Sequence, residues 1–293
     1  MEEIEGIIIK NESNLYTIKT KQKQYEALPR GRFKNEDITP IVGDKVKILV
    51  ENETATIEEI MPRKVYIKRP KLANITQIVF VQSSKEPKPD LLLLDKQLAY
   101  AEYLNVKSLI VLNKTDLDKK QEFKNIKEIY QQIGYKVIET QAKEKIGIDE
   151  LKKELAGNIS AFAGNSGVGK STLINSLFNK NITQEGEISK KNKKGKNTTT
   201  TTEIYEIGKD IYIADTPGFS TFDISEISAN ELEKYFVEFK PLLENCEFVG
   251  CTHIKEQNCG IKKGISEGKV SKDRYERYCK IYLELKEKEN RKW

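Results

Sequence analysis

The chain has 293 residues, 38% apolar and 32% charged, with 50 Lys and Arg against 45 Asp and Glu, a net charge of +5. That is more chain than one average domain uses, so two or three are expected, and the mildly basic balance suits a polyanionic partner without requiring one. No apolar run approaches the ~18 residues of a membrane span, and the acidic start "MEEIEGIIIK" lacks the apolar core of a secretory signal, so a cytoplasmic protein with no membrane partner is expected.

Residues 1–69 read as short strands: "GIIIK", "LYTIKT", "QYEAL", "DKVKILV", "ATIEEI" and "KVYIK", separated by breaks rich in Pro, Gly and Asn. Several short strands with no helical period predict a small β-barrel over 1–70, of the oligonucleotide-binding (OB) or SH3-like type, with the OB fold leading.

From about residue 72 strands alternate with helices. "ITQIVFVQS" is a buried strand, "LLLLDKQLAYAEYLN" has helical spacing through Leu94, Leu98, Ala101 and Leu104, and "SLIVLNKTD" is a strand ending in a polar loop. The helix "FKNIKEIYQQIG", the strand "KVIET", the helix "IDELKKELAG", the strand "NISAFAG" and the helix "KSTLINSLF" follow. This alternation predicts an α/β domain over 71–228, with a parallel sheet covered by helices. Within it, 181–202 is polar and rich in Lys and Thr, and is expected to be a mobile loop; "IYIADTPGF" then returns to a strand. A mostly helical block over 229–293 closes the chain. Its last helix carries a stripe of Tyr275, Tyr278, Cys279, Tyr282 and Leu285 that suits packing.

Three loops carry chemistry. Gly164-Asn165-Ser166-Gly167-Val168-Gly169-Lys170-Ser171-Thr172 contains GxxxxGK[ST] between a strand and a helix. In that context the glycines let backbone N–H groups curl around phosphate oxygens, Lys170 meets the β and γ phosphates, and Ser171 offers a hydroxyl to Mg²⁺. Asp215-Thr216-Pro217-Gly218 ends a strand; Asp215 suits Mg²⁺, and the Gly218 N–H suits the γ phosphate. Asn113-Lys114-Thr115-Asp116 ends another strand. A carboxylate only accepts hydrogen bonds. A buried Asp116 therefore prefers guanine, which offers two adjacent donors, over adenine, which offers an acceptor there. Gln141-Ala142-Lys143 is a candidate for closing over the base.

The base reader precedes the phosphate loop, the reverse of the usual order. Ligand loops in such a sheet lie at the carboxyl ends of strands, whatever order the chain visits them. The motif order therefore predicts a circularly permuted P-loop GTPase domain.

Cys246, Cys251, His253 and Cys259 supply three thiolates and an imidazole, a complete tetrahedral set for structural Zn²⁺. Buried free cysteines and redox pairs are the alternatives that the spacing leaves open.

The permuted order "NKTD", "GNSGVGKST", "TTT", "DTPGF", after a barrel-like block and before the C-x4-C-x-H-x5-C tail, resembles the bacterial ribosome small-subunit-dependent GTPase A family over nearly the whole chain. The resemblance implies an OB fold, a permuted GTPase domain and a zinc domain. It also implies GTP and GDP as ligands, and a role in late maturation of the 30S ribosomal subunit, whose presence stimulates hydrolysis. The barrel and zinc domain would hold 16S rRNA, and the chain would act as a monomer. One of Thr198, Thr199 and Thr200 would reach Mg²⁺. The family pattern has a histidine just before these threonines, where this chain has Asn197, and Phe219 stands where many GTPases place a water-positioning Gln. Asn197 is the candidate replacement, and it cannot titrate near neutrality. Slow hydrolysis in the absence of a partner is expected. The competing reading is a GTP-dependent binding switch with negligible turnover that recruits a protein or RNA partner. Lysines 190, 191, 193, 194 and 196 suit either salt-sensitive phosphate contacts or a solvated loop.

Overall fold

The computed structural model describes residues 2–31, 33, 38–51, 54–119, 121–178, 202–215 and 223–291. These fall into two compact units, 1–79 with 141–163 and 169–220, and 80–140 with 164–168 and 221–293.

The first unit begins with five strands: β1 (Glu2–Glu12), β2 (Leu15–Lys19), β3 (Gln24–Pro29), β4 (Lys45–Glu51) and β5 (Thr54–Ile60). Alternating apolar residues drive them to close on one core, so that Ile8, Tyr16, Ile18, Val46, Ile48 and Ile57 are all buried. β1 pairs antiparallel with β2 and with β4, β2 with β3, and β4 with β5, while β3 and β5 run parallel. That closed order decides between the two barrel types in favour of the OB-like one. A register shift between Ile8 and Lys10 lets the long β1 serve several neighbours.

At the barrel's end Asp44 is wholly buried, accepts from the Ile41 N–H at 2.9 Å, and takes two bonds from the Arg63 guanidinium at 2.7 and 2.8 Å. That pairing holds the Arg63 pKa above its ordinary value despite partial burial. Gly43 has a φ of +91°, and a Cβ there would run into the Ala73 carbonyl, so a side chain is doubly excluded. The sixth expected strand is not part of the barrel: β6 (Tyr66–Lys68) forms a separate hairpin with β7 (Lys71–Ala73).

The strand β8 (Gln77–Ser83) carries the chain from the first unit into the second and is buried along its whole length. The rest of the first unit contains α3 (Ile148–Leu155), β11 (Asn158–Ala163), α4 (Lys170–Leu177), β12 (Glu203–Gly208) and β13 (Ile211–Asp215). β11 and β13 run parallel, paired through Ala161 and Ala214. β12, absent from the sequence reading, forms a hairpin with β13, turning at Asp210 with φ +59°, and its Glu203 pairs with Lys10 of β1. It was hidden because its Ile204–Ile207 pattern follows directly on the threonine run.

The second unit contains α1 (Leu91–Tyr103), β9 (Lys107–Asn113), α2 (Glu122–Ile133) and β10 (Lys136–Thr140), with β9 and β10 parallel. Its C-terminal part has two 3-10 helices, Ala229–Tyr235 and Lys240–Asn245, then α5 (Gly260–Ser266) and α6 (Lys272–Asn290). Tyr278 meets Phe236 and Phe239 edge to face at centroid separations of 5.1 and 4.9 Å in its core, and the two phenylalanines lie tilted against each other at 5.3 Å. On α6 the buried residues are Arg274, Tyr278, Ile281, Tyr282 and Leu285, with Tyr275 and Cys279 partly buried beside them. The stripe therefore packs as expected, but a buried arginine lies at its heart. Among the described residues no helix is long and apolar enough to cross a membrane.

Candidate functional site

The motif loops sit at strand ends. β9 ends at Asn113 and β10 at Thr140, side by side in parallel register. Asn113 is buried. Its amide Nδ2 donates to the Val168 carbonyl at 3.0 Å, and its Oδ1 accepts from the Thr140 hydroxyl at 3.0 Å. The first residue of the base-reader motif thus ties that loop to the middle of the phosphate loop. Two further hydroxyls support it: Ser84 Oγ donates to the Lys114 carbonyl at 2.6 Å, and Thr115 Oγ1 to the Thr140 carbonyl at 3.4 Å. Lys114 turns the chain with a left-handed φ of +61°, and its Nζ donates to the Glu86 carbonyl at 2.8 Å. Asp116 stands exposed at the head of a 3-10 turn. Its carboxylate is therefore not in the buried setting expected, since the described residues do not enclose it.

The phosphate loop is built on backbone geometry. Gly164, Gly167 and Gly169 have φ of +139°, +84° and +101°, the left-handed region that side chains avoid. A Cβ on Gly164 would also strike the Val81 carbonyl. Val168 is buried and anchors the loop, while Ser166 and Gly167 are exposed. Asn165 Nδ2 donates to Asp90 Oδ2 at 3.3 Å, and the other Asp90 oxygen caps α1 through the Leu93 N–H at 3.0 Å. Within the first unit α4 opens at Lys170, with Ser171 and Thr172 exposed next to it. Burial lowers the Lys170 pKa, because taking an ammonium out of water disfavours its charged form. Asp215 is exposed one residue beyond the Ala161–Ala214 pair, so it stands at the same sheet end from which β11 enters the phosphate loop. After β10, Gln141 and Ile146 exchange backbone bonds at 3.1 and 3.2 Å, making a tight turn that contains Ala142 and Lys143. Asn197, Thr198, Thr199, Thr200, Gly218, Phe219 and the loop lysines lie outside the described residues.

The Sγ atoms of Cys246, Cys251 and Cys259 and a ring nitrogen of His253 all lie within 4.8 Å of one another. The His253 Nδ1 is 3.6 Å from the Cys246 sulfur and 3.3 Å from the Cys259 sulfur. Four ligands at ~2.0–2.3 Å around one tetrahedral ion would be spaced comparably, so the residues fit a structural zinc, whose four protein ligands leave no open position for catalysis. The other imidazole nitrogen, Nε2, faces Glu233 Oε2 at 2.6 Å, which orients the ring and leaves Nδ1 for a metal. Burial pushes the Cys251 thiol up to about 12 and raises Cys259 as well, an environment in which thiolates need a cation. Glu256 holds the intervening turn, accepting from the Thr252, Ile254 and Lys255 N–H groups at 2.9–3.0 Å and from the Thr252 hydroxyl at 2.8 Å. Although burial opposes its charge, these bonds bring its pKa down to about 2.

Sequence reading missed Asp90, Glu233 and Glu256. Asp90 had a signal, an Asp just ahead of the apolar helical run "LLLL". Glu233 had none, since its partner lies twenty residues on, in another element.

Parallel strands that end in the Asn113–Asp116 motif, the GxxxxGKS loop and Asp215, met in permuted order after an OB-like barrel, match a circularly permuted GTPase. A sequence-family model described as "RsgA GTPase" matches residues 60–225, and one described as "RsgA N-terminal domain" matches residues 5–57. "Small ribosomal subunit biogenesis GTPase RsgA" of Clostridium novyi (strain NT) is 42% identical over 291 residues, covering 99% of this chain and 100% of the relative. The protein of the same name from Ruminiclostridium cellulolyticum (strain ATCC 35319 / DSM 5812 / JCM 6584 / H10) is 39% identical, covering 96% and 94%. Among solved structures, YjeQ from Thermotoga maritima superposes with a TM-score of 0.85 at 33% identity, covering 97% of this chain and 99% of that one. YloQ, described as a circularly permuted GTPase, gives 0.83 at 30% identity, covering 98% and 96%. The chain belongs to the RsgA GTPase family, and is a GTP hydrolase.

Proposed function

We propose that this chain acts in late maturation of the 30S ribosomal subunit, hydrolysing GTP when that particle is bound. The observation that carries the reading is the loop set built on Asn113 and the three left-handed glycines, in a chain 42% identical over its length to a relative named for small-subunit biogenesis.

In this reading Asn113 to Asp116 read guanine, and Gly164 to Thr172 cradle the phosphates. Lys170 neutralises the β and γ oxygens. Ser171, Asp215 and one of Thr198, Thr199 and Thr200 hold Mg²⁺, and the Gly218 N–H meets the γ phosphate. Asn113 acts chiefly as the tie between base loop and phosphate loop. Asn197 takes the water-orienting place that the family pattern gives to histidine. The barrel of residues 1–70 and the zinc domain of 229–293, which precede and follow the GTPase domain of 71–228 in the chain, grip 16S rRNA. Cys246, Cys251, His253 and Cys259 hold one structural Zn²⁺. The protein works as a monomer in the cytoplasm.

Base specificity has its own check. Asp116→Asn converts one acceptor into a donor, so preference should move from guanosine toward xanthosine nucleotides by about tenfold or more. Retained guanine preference would show that the base is read elsewhere.

The main test is phosphate release from GTP, by the protein alone and with isolated 30S subunits. A rise of about tenfold or more, roughly 1.4 kcal/mol off the barrier, is expected. No rise, with GTP-dependent binding to the subunit intact, would favour the second reading, a binding switch recruiting protein or RNA. Asn197 and Phe219 favour that reading, since neither offers the usual water-orienting group.

A further inference from the structure

One run of polar contacts, all inside the second unit, leads from the phosphate loop to the cysteine–histidine cluster. It begins at Asn165, whose amide donates to Asp90. Asp90 caps α1, and its own N–H donates to Gln82 Oε1 at 3.0 Å, so both the loop and the end of β8 are fastened to the start of that helix. About one and a half turns further along α1 lies Asp95, wholly buried. It accepts from the Tyr130 hydroxyl at 2.6 Å and from the guanidinium groups of Arg274 and Arg277 on α6. Arg274 is itself 1% exposed, pairs with Glu238, and lies over the Phe236 ring at 4.7 Å. Burial opposes its charge, but Asp95 and Glu238 outweigh that and raise its pKa. From the same helix the Tyr275 hydroxyl donates to the His253 carbonyl at 2.7 Å, and the Tyr278 hydroxyl to the Thr252 carbonyl at 3.2 Å.

Stability alone does not account for this arrangement. Two arginines and two carboxylates in a core pay desolvation that an apolar set of equal volume would avoid. Directional bonds, however, fix the rotation and height of α6 against α1, which interchangeable apolar contacts leave free to slide.

We propose that α1 is a positioning strut that carries the state of the phosphate loop to the cysteine–histidine cluster. Asp90 engages the loop through Asn165, Asp95 holds α6 through Arg274 and Arg277, and Tyr275 and Tyr278 fix the Thr252–His253 turn. The proposal rests on reading residues 164–171 as the GTP phosphate loop. Its route is separate from the covalent continuation of the chain after Asp215. Coupling requires that nucleotide interact differently with two states of the loop. The Asn165–Asp90 bond is where that difference enters, because any shift of Asn165 toward or away from a phosphate bears directly on Asp90. By linkage the effect is reciprocal.

The test is amide hydrogen exchange on the full-length, zinc-loaded protein, free, with GDP, and with a non-hydrolysable GTP analogue. Binding of a fluorescent guanine nucleotide is measured on the same samples. Peptides spanning 246–259 should change their exchange rate by about fivefold between free and nucleotide-bound protein. In Tyr275→Phe that difference should shrink below about twofold, while nucleotide affinity stays within about twofold of the parent. Asn165→Ala, compared at saturating nucleotide, should lose the difference from the other end of the route, with the buried cluster intact. Nucleotide bound without any change over 246–259 would overturn the proposal. So would a full difference surviving in both variants. Failure to bind guanine nucleotide at all would instead overturn the phosphate-loop assignment on which it stands.

Discussion

In the phosphate loop, shape is stored in the backbone: Gly164, Gly167 and Gly169 hold φ of +139°, +84° and +101°, and a side chain at Gly164 would strike the Val81 carbonyl. In the C-terminal part of the second unit, shape is stored in side chains. Three sulfurs and an imidazole converge, Glu233 orients the ring, Glu256 ties the turn, and Arg274 and Arg277 close on Asp95. The first arrangement takes its turns from its own glycines, with Asn113 and Asp90 tying it from a distance. The second brings together groups far apart in the chain, and loses its organisation when one partner is removed. A nucleotide switch suits the first kind of site, and a grip on a large partner suits the second.

The comparison breaks most visibly at the metal ligands. Cys251→Ser should abolish stoichiometric zinc and unfold the block around 229–293, since structural zinc contributes on the order of 10 kcal/mol to the folding of such sites. Zinc content by mass spectrometry and the loss of a C-terminal unfolding transition would read it, and full zinc stoichiometry would refute the ligand set. Next comes Arg274→Ala, which leaves Glu238 buried without this arginine and Asp95 with Arg277 as its remaining arginine, and should cost about 3–5 kcal/mol in denaturant unfolding. A cost below about 1 kcal/mol would mean that the cluster is effectively solvated. Gly164→Ala should cost about 3 kcal/mol, from backbone strain and the blocked Val81 carbonyl together, and should weaken guanine-nucleotide binding while leaving zinc content unchanged. Equal damage at both sites would erase the distinction between them.

The smallest effect is a pH dependence. Burial lowers the Lys170 pKa below the ordinary 10.5, whereas bound phosphates favour its charged form. Nucleotide affinity should therefore be full at neutral pH and fall as pH rises through the lowered value, by up to about tenfold per unit. Titrating a fluorescent nucleotide from pH 7 upward checks it, and a flat profile to the ordinary lysine range would remove Lys170 from the phosphates.

How much was legible in advance follows the same division. The glycines of the phosphate loop, the strand ends at Asn113 and Asp215, and the spacing of Cys246, Cys251, His253 and Cys259 are local patterns, and they were readable. The side-chain partners were not. Arg274 lies in a stripe of tyrosines where an apolar face was expected, and nothing near it in sequence announces Asp95, 179 residues earlier. Glu203 to Gly208 form a strand between β13 and β1, its own short apolar pattern being hidden behind the threonine run. The exposure of Asp116 also escaped, because a motif specifies which group meets a ligand but not what else surrounds it.

By itself the amino-acid sequence determined the permuted order of the motif loops, the left-handed turns that their glycines allow and the spacing of three cysteines and a histidine, because backbone conformation and donor type depend on residues close together in the chain. Only the tertiary structure decided that the N-terminal strands close through a parallel β3–β5 pair. It alone decided that Asn113 serves as a tie to Val168, and that α1 stands between the phosphate loop and the cysteine–histidine cluster. Those outcomes depend on which distant groups burial brings within bonding distance, and buried polar groups must then find partners wherever the fold has put them.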